Sequence, residues 1–322
     1  MTEYAWPAGT RSDRTDGEAR DEGGLKPPRR RRDRTAWWYL APTLFVVAAV
    51  TLFPIGFSAV MSFSDVRLGT SGFELGDWTT NNYAALLDSP VWRQALVFTS
   101  LYTVVSVAVE LALGVLVALV LERLTKARGW MMALLLIPWA MITVISAQLW
   151  SYIFNSAYGV ATWLFGLVTD EPPVILGTPV SAFGAILTAD VWKTTPFVAI
   201  IVLAGLMTID RSVYEAAEMD GAGPWKTFWR VTLPLLRPTL AIAVLFRVLQ
   251  AFGVFDLPFV LTNGGPGTST QPLAMLGWKV MFQNLNMGAG AAVALTTSLI
   301  VFLACLLSLK AFRSQVGEED SA

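Results

Sequence analysis

Three short sets of side chains recur at helical spacing inside long apolar runs, where polar groups are costly. Arg247, Gln250, Ala251 and Val254 fall on one face of a helix, and Lys193, Thr194 and Phe197 on another. Trp139 and Thr143, four residues apart, make a third face. Hydrogen-bond donors beside a flat aromatic suit a sugar, which needs partners for its hydroxyls and a surface for its C–H faces. The same runs carry Glu110, Gln148, Asp190 and Asp256. For each of these the plainer role is a helix–helix hydrogen bond or an internal salt bridge. Asp190 and Lys193, at i and i+3, are spaced to pair with each other. Arg247 has alternatives to substrate contact: a pair with Asp256, a pair with another span, or a place in a gate.

The elements that position these residues follow from composition. The 322 residues are 54% hydrophobic and 15% charged, with a mean hydropathy of +0.55. Such values indicate a polytopic membrane protein. With no His and one Cys, Cys305, the chain has no histidine base, no Cys/His zinc site and no internal disulfide. Asp65, Glu74, Asp77 and Asp170-Glu171 are scattered and have no metal-site spacing.

About 20 apolar residues cross a bilayer core. Six stretches qualify, over 37–63, 93–121, 130–154, 183–209, 236–261 and 288–311. The expected fold is all-α, a polytopic membrane protein with six transmembrane helices. Residues 1–36 read as a disordered basic arm, ending in "PPRRRRDR", ahead of an uncleaved first helix. The arm's plain role is to hold the N-terminus in the cytoplasm, with binding to anionic lipid or nucleic acid as alternatives. Segments 122–129 and 210–235 carry Arg123, Lys126, Arg128, Arg211, Lys226 and Arg230, and Lys310 and Arg313 flank the end of the last span. The alternate loops 64–92, 155–182 and 262–287 hold only Arg67 and Lys279. This bias predicts cytoplasmic N- and C-termini. Trp78, Trp92, Trp150 and Trp163 are placed as interfacial anchors.

The segment 210–235 is more than a linker. Ser212 and Glu215 have capping-box spacing. Gly221 stands where a left-handed helix C-terminal residue is needed, and Pro224 suits the first position of a following helix. "WKTFWRV" then continues as an amphipathic piece with Lys226 and Arg230 on one face, ended by Pro234. A bare connection between spans needs neither this length nor this order. A rigid, mostly uncharged knob fits a groove on a partner.

Glu215-Ala216-Ala217, Gly221 and Val231-x-Leu233-Pro234 resemble the EAA loop of binding-protein-dependent ABC importer permeases, with Val231 in place of the usual Ile. "VFDLPFVLTNGGPGTST", "LLLIPWAMITVISAQLW" and "VWKTTPFVAIIVLAGLMTIDRSVYEAAEMDGAG" are similar to the carbohydrate-uptake branch. The likeness spans about residues 93–312 and is nearest to the first permease subunit of maltose- or trehalose-type importers, the mycobacterial trehalose importer among them. It implies the fold of a type I ABC importer transmembrane domain, with 37–92 as a first span and outer loop and 313–322 as a cytoplasmic tail.

The resemblance also implies partners. Glu215, Ala216, Ala217, Asp220, Gly221, Ala222, Leu233 and Pro234 would couple to an ATPase subunit. ATP and Mg would be bound by two such ATP-binding subunits and not by this chain, which has no Walker A sequence and no cofactor of its own. A second homologous permease subunit and an extracytoplasmic sugar-binding protein or lipoprotein would complete a bacterial plasma-membrane importer, in contact with membrane lipid. Aligned on Pro138, Pro196, Glu215 and the Asn263-Gly264-Gly265-Pro266 block, the three faces match sugar-contacting positions of the maltose permease. Their side chains depart from that protein's largely Ser/Asn/Phe set.

A disaccharide such as trehalose or maltose is the expected cargo. Glycerol-phosphate or another polyol is the nearest alternative, because Lys193 and Arg247 would suit an anion. A secondary transporter would show more spans, broken helices and intramembrane carboxylates, and would not need a docking loop. A polytopic membrane glycosyltransferase would show an acidic or metal-binding loop motif.

Overall fold

A computed structural model of the protein describes residues 34–69, 72–124, 126–170 and 172–316. The basic arm lies outside them through residue 33, as does the tail beyond 316. The chain divides into two units, 1–52 and 53–322. In the first, the described residues belong to helix α1 (Arg34–Ser62), and from Tyr39 to Leu52 every side chain but Ala48 is exposed. An uninterrupted exposed apolar surface of this kind is stable against lipid and not against water.

The second unit begins with the end of α1 and a hairpin, β1 (Ser64–Gly69) and β2 (Gly72–Trp78), paired antiparallel. The hairpin is followed by α2 (Asn81–Asp88). The long helices α3 (Pro90–Arg123) and α7 (Pro179–Leu206) start alike. Ser89 and Thr178 accept hydrogen bonds from the amides of Trp92 and Ser181, and a proline follows each cap. The side-chain oxygen meets an amide with no partner inside the helix, and proline there gives up no bond. The two helices pack closely, with a Cβ on Gly114 falling 2.6 Å from Val198 Cγ1. Val115, Ala118, Leu121, Val198, Val202, Leu203 and Leu236 form one core cluster between them and the fifth span.

The expected third span is broken. Helix α4 (Arg128–Ala140) stops after Pro138, Met141 and Ile142 are extended, and α5 (Thr143–Ile153) leaves at 88°. Pro138 has no amide to give and crowds the preceding turn, which weakens the helix at this point. A short helix α6 (Val160–Gly166) follows.

The loop between the fourth and fifth spans is α8 (Arg211–Met219), then α9 (Pro224–Thr227), a π-helical turn over Phe228–Thr232, and α10 (Leu233–Phe252). Two readings are corrected here. Asp210 and not Ser212 caps α8, its carboxylate accepting from the Ser212 amide at 2.9 Å, so Ser212 and Glu215 form no capping box. Pro234 does not end the amphipathic piece, since Pro224–Phe252 runs on as one helical stretch. The wider π turn just before Leu233-Pro234 absorbs the missing amide.

The fifth span, expected to reach 261, ends at Phe252. The chain breaks over Gly253–Phe255 and resumes as α11 (Asp256–Thr262). Helix α12 (Leu273–Trp278), a second π turn (Lys279–Gln283) and α13 (Met287–Val316) complete the described chain. Among the described residues five helices are long and apolar enough to cross a membrane, and six crossings result when the bent pair α4–α5 is counted as one span. Of the expected aromatic anchors, Trp78 and Trp163 are exposed, whereas Trp150 packs on Phe154 and Trp192. Trp92 is half-buried.

Candidate functional site

The two helix breaks and the middle of α7 enclose a cavity of about 580 Å³. Eight of the nine residues singled out as a pathway line it: Trp139, Thr143, Lys193, Thr194, Arg247, Gln250, Ala251 and Val254. The ninth, Phe197, lies behind the rim and stacks on Trp139, with centroids 5.5 Å apart and planes 8° from parallel. Trp139 and Thr143 do not share a helical face, since they come from opposite sides of the 88° break between α4 and α5. Val254 reaches the cavity from the break after α10, not from a continued helical face. Asp190 and Asp256 also line the cavity, while Glu110 is fully buried behind it and Gln148 is exposed elsewhere on α5.

The pairing differs from the simple i, i+3 expectation. Lys193 Nζ donates to the carbonyls of Met141 (2.6 Å) and Trp139 (3.2 Å). These carbonyls are left without helical partners where α4 stops, and the free end of a helix attracts a cation. Asp190 instead accepts from the Tyr102 hydroxyl at 2.7 Å and from Arg247 at 3.1 Å. Arg247, 2% exposed, does not pair with Asp256; it places Nε and one terminal nitrogen on the two oxygens of Glu110. Its other terminal nitrogen donates to Gln250 Oε1 at 2.8 Å. Thr194 Oγ1 is 2.6 Å from Glu110 Oε1.

A bidentate guanidinium–carboxylate contact is the strongest of these motifs. Deep burial requires it, because an unpaired charge there is prohibitive. The plainer role read for Glu110, an internal salt bridge, is the one it has, and Arg247 pairs with another span. Which residues would meet was not legible in advance, and Tyr102 gave no signal. The assembled wall offers amide, hydroxyl and indole groups beside a flat aromatic face, and it can hold a polyhydroxylated solute by hydrogen bonds and stacking.

A second surface lies on α8. Its C-terminus is a complete Schellman motif: Ala222 N–H bonds Ala217 O, Gly221 N–H bonds Glu218 O, and Gly221 has φ +71°. Ala217 is buried beneath the helix, whereas Glu215, Ala216, Asp220 and Gly221 are exposed, as is Met219 at 89%. Ala222 is half-buried, as are Leu233 and Pro234 at the start of α10.

The family model described as binding-protein-dependent transport system inner membrane component matches residues 110–312. The chain belongs to that family. This inner membrane component is 41% identical over 233 residues to the trehalose/maltose transport system permease protein of Thermococcus litoralis, covering 72% of this chain and 78% of the relative. It is 33% identical over 279 residues to the trehalose transport system permease protein of Mycobacterium tuberculosis, covering 87% and 89%. With the sulfoquinovosyl glycerol transport system permease protein of Agrobacterium fabrum it shares 35% identity over 277 residues, covering 86% and 89%. In fold, it is similar to a chain of a bacterial ABC transporter that imports the acidic polysaccharide alginate, with a TM-score of 0.74 at 20% identity, covering 88% of this chain and 97% of that one. The resemblance read from the EAA-like loop and the Asn-Gly-Gly-Pro block therefore holds. The family and the candidate spans agree with a type I importer membrane domain, and the family match removes the readings as a secondary transporter and as a membrane glycosyltransferase.

Proposed function

We propose that this chain is the permease subunit of an ATP-driven importer and that the cavity between α4, α5, α7 and α10 passes a neutral sugar, a disaccharide of the trehalose or maltose kind, into the cytoplasm. The observation that carries the reading is the convergence of Trp139, Lys193, Thr194, Arg247 and Gln250 on one cavity of about 580 Å³, within the range of small-molecule sites. The names of the 41% and 33% identical relatives support the same solute class.

On this reading the α8 loop faces the cytoplasm with both termini, and docks on one of two ATP-binding subunits that hold ATP and Mg. Glu215, Ala216, Ala217, Asp220, Gly221 and Ala222 form the contact, and Leu233 and Pro234 carry it into α10. A homologous second permease subunit closes the path, because six crossings enclose only half of it. An extracytoplasmic binding protein delivers the sugar; a related alginate transporter has been crystallised with its ligand-loaded periplasmic protein.

The polyol-phosphate alternative has lost its main support. It rested on free cations, and Lys193 and Arg247 are both engaged by protein acceptors.

Reconstituting the chain with its neighbouring transport subunits and measuring ATP-dependent uptake of labelled trehalose and maltose tests the proposal. Uptake of either supports it. A complex that carries neither, with a binding protein that binds neither, refutes the disaccharide assignment.

A further inference from the structure

The Arg247 cluster has a feature that sugar contact alone does not require. One guanidinium is held by two carboxylates, and only part of the group reaches the cavity. Glu110 has no exposed surface and does not line the cavity, yet it takes two of the Arg247 donors. Asp190, at the cavity edge, takes a third, and Gln250 the fourth. The carboxylates are in turn held by Thr194 and by Tyr102, itself fully buried. The wall's second cation, Lys193, ends on two main-chain carbonyls. Both cations at this wall are therefore held by protein acceptors, Lys193 by main-chain carbonyls and Arg247 by two carboxylates, so the Arg247 cluster carries one more carboxylate than cations.

An anion site does the opposite: it leaves guanidinium donors open for the ligand. Here four of the five guanidinium N–H donors are taken by protein acceptors, and the tether of Gln250 Oε1 to Arg247 turns the amide nitrogen of Gln250 toward other partners. We infer that Glu110, together with Asp190, is a specificity-determining positioning residue. It masks the charge of Arg247, so that the wall hydrogen-bonds a neutral polyhydroxylated solute and does not accept an anion. This inference rests on the neutral-sugar reading for its purpose, although the masking itself can be measured without any sugar.

The experiment uses the assembled, purified transporter complex with inorganic sulfate as the probe, compared with chloride at equal ionic strength. The readout is melting temperature. Wild type is expected to show only the general stabilisation that excluded sulfate gives a folded protein, and the sulfate response of each variant is its excess over that. The shape-preserving double variant Glu110→Gln/Asp190→Asn exposes Arg247. It is expected to melt about 10 °C lower in chloride and to recover much of that loss in sulfate. Adding Arg247→Gln should abolish the sulfate response, which a merely structural role for Glu110 would not explain. A double variant with no sulfate response, or one that persists without Arg247, overturns the inference. Should the double variant fail to assemble, Glu110→Gln alone carries the test, and a sulfate response no larger than wild type's overturns it.

Uptake separates this from the sugar reading. Wild type failing to carry a disaccharide removes that reading and leaves the sulfate result standing. Given uptake, a disaccharide bearing a carboxylate should inhibit it about tenfold more strongly in Glu110→Gln than in wild type; equal inhibition overturns the specificity role.

Discussion

Lys193 Nζ on α7 ends 2.6 Å from the main-chain carbonyl of Met141, in the two-residue gap where α4 stops and α5 turns away at 88°. The ammonium replaces the amide partners that a continuous helix would have supplied. Lys193→Met should leave the Trp139 and Met141 carbonyls without that donor, at about 1–3 kcal/mol for each group left unsatisfied. A drop in melting temperature of the purified protein, with partial recovery in Lys193→Arg, is the expected result. An unchanged melting curve would mean the break is held by other contacts.

The closeness of α3 and α7 gives a paired prediction. Gly114→Ala places a methyl carbon 2.6 Å from Val198 Cγ1, while a Cβ on Gly184 meets nothing within 4 Å. Gly114→Ala should therefore destabilise by about 1–3 kcal/mol. Gly184→Ala should be neutral or stabilising by up to about 1 kcal/mol. Thermal unfolding of both variants in the same detergent distinguishes crossing geometry from glycine propensity.

Gly221 closes α8 at φ +71°. A branched side chain there is strained by about 1–2 kcal/mol, and the Schellman bonds to Ala217 and Glu218 should loosen. On the coupling proposal, Gly221→Leu assembles with the ATPase subunits but loses sugar-stimulated ATP hydrolysis. Full stimulation in a reconstituted complex would sink that role for the loop.

Asp210 sets a pH dependence at the other end of α8. Its carboxylate, fully exposed, accepts first from the Ser212 amide and then from the Ser212 hydroxyl, and this holds its pKa below the usual 3.8. A depressed folded-state pKa stabilises above the unfolded value and is lost on acidification. The cap's contribution should thus be complete above about pH 4 and disappear as the pH falls through the lower folded value. Amide exchange over 211–219, corrected for the intrinsic rate, should show α8 loosening in acid in wild type, with Asp210→Asn insensitive over the same range.

Trp139, in the cavity wall, stacks on Phe197 behind it. If that face receives a sugar ring, Trp139→Ala should raise the KM for uptake about five-fold, the equivalent of roughly 1 kcal/mol of aromatic contact. Vmax should change little. A change confined to Vmax would place Trp139 in the conformational cycle and not in solute contact.

Much of the architecture was legible locally. Apolar run length marks α1, α3, α7 and α13 because a bilayer demands about 20 such residues in succession. Gly221 and Pro224 announced the α8–α9 turn, because each has backbone preferences that few positions accept. The same local rules misjudged boundaries. Asp210 and Ser212 are nearly equal as caps, and only the neighbouring structure chose between them. Pro234 reads as a stop in any window too short to include a π turn.

The faces bearing Lys193 and Arg247 were also legible, since helical spacing places residues on a face without knowledge of its neighbour; the one expected for Trp139 and Thr143 is divided by the α4–α5 break. What lies opposite was not. Arg247 meets Glu110 across 137 residues and Asp190 across 57, so neither pair follows from spacing. Sequence alone thus determined a membrane-spanning helical chain, a surface loop closed at Gly221, and the helical faces that lie within unbroken helices, those of Lys193 and of Arg247 with Gln250 and Ala251. The tertiary structure decided that Lys193 answers a helix break and that two carboxylates neutralise Arg247. Charge pairing in a low-dielectric interior depends on three-dimensional distance, which only the packing of α3, α7 and α10 supplies.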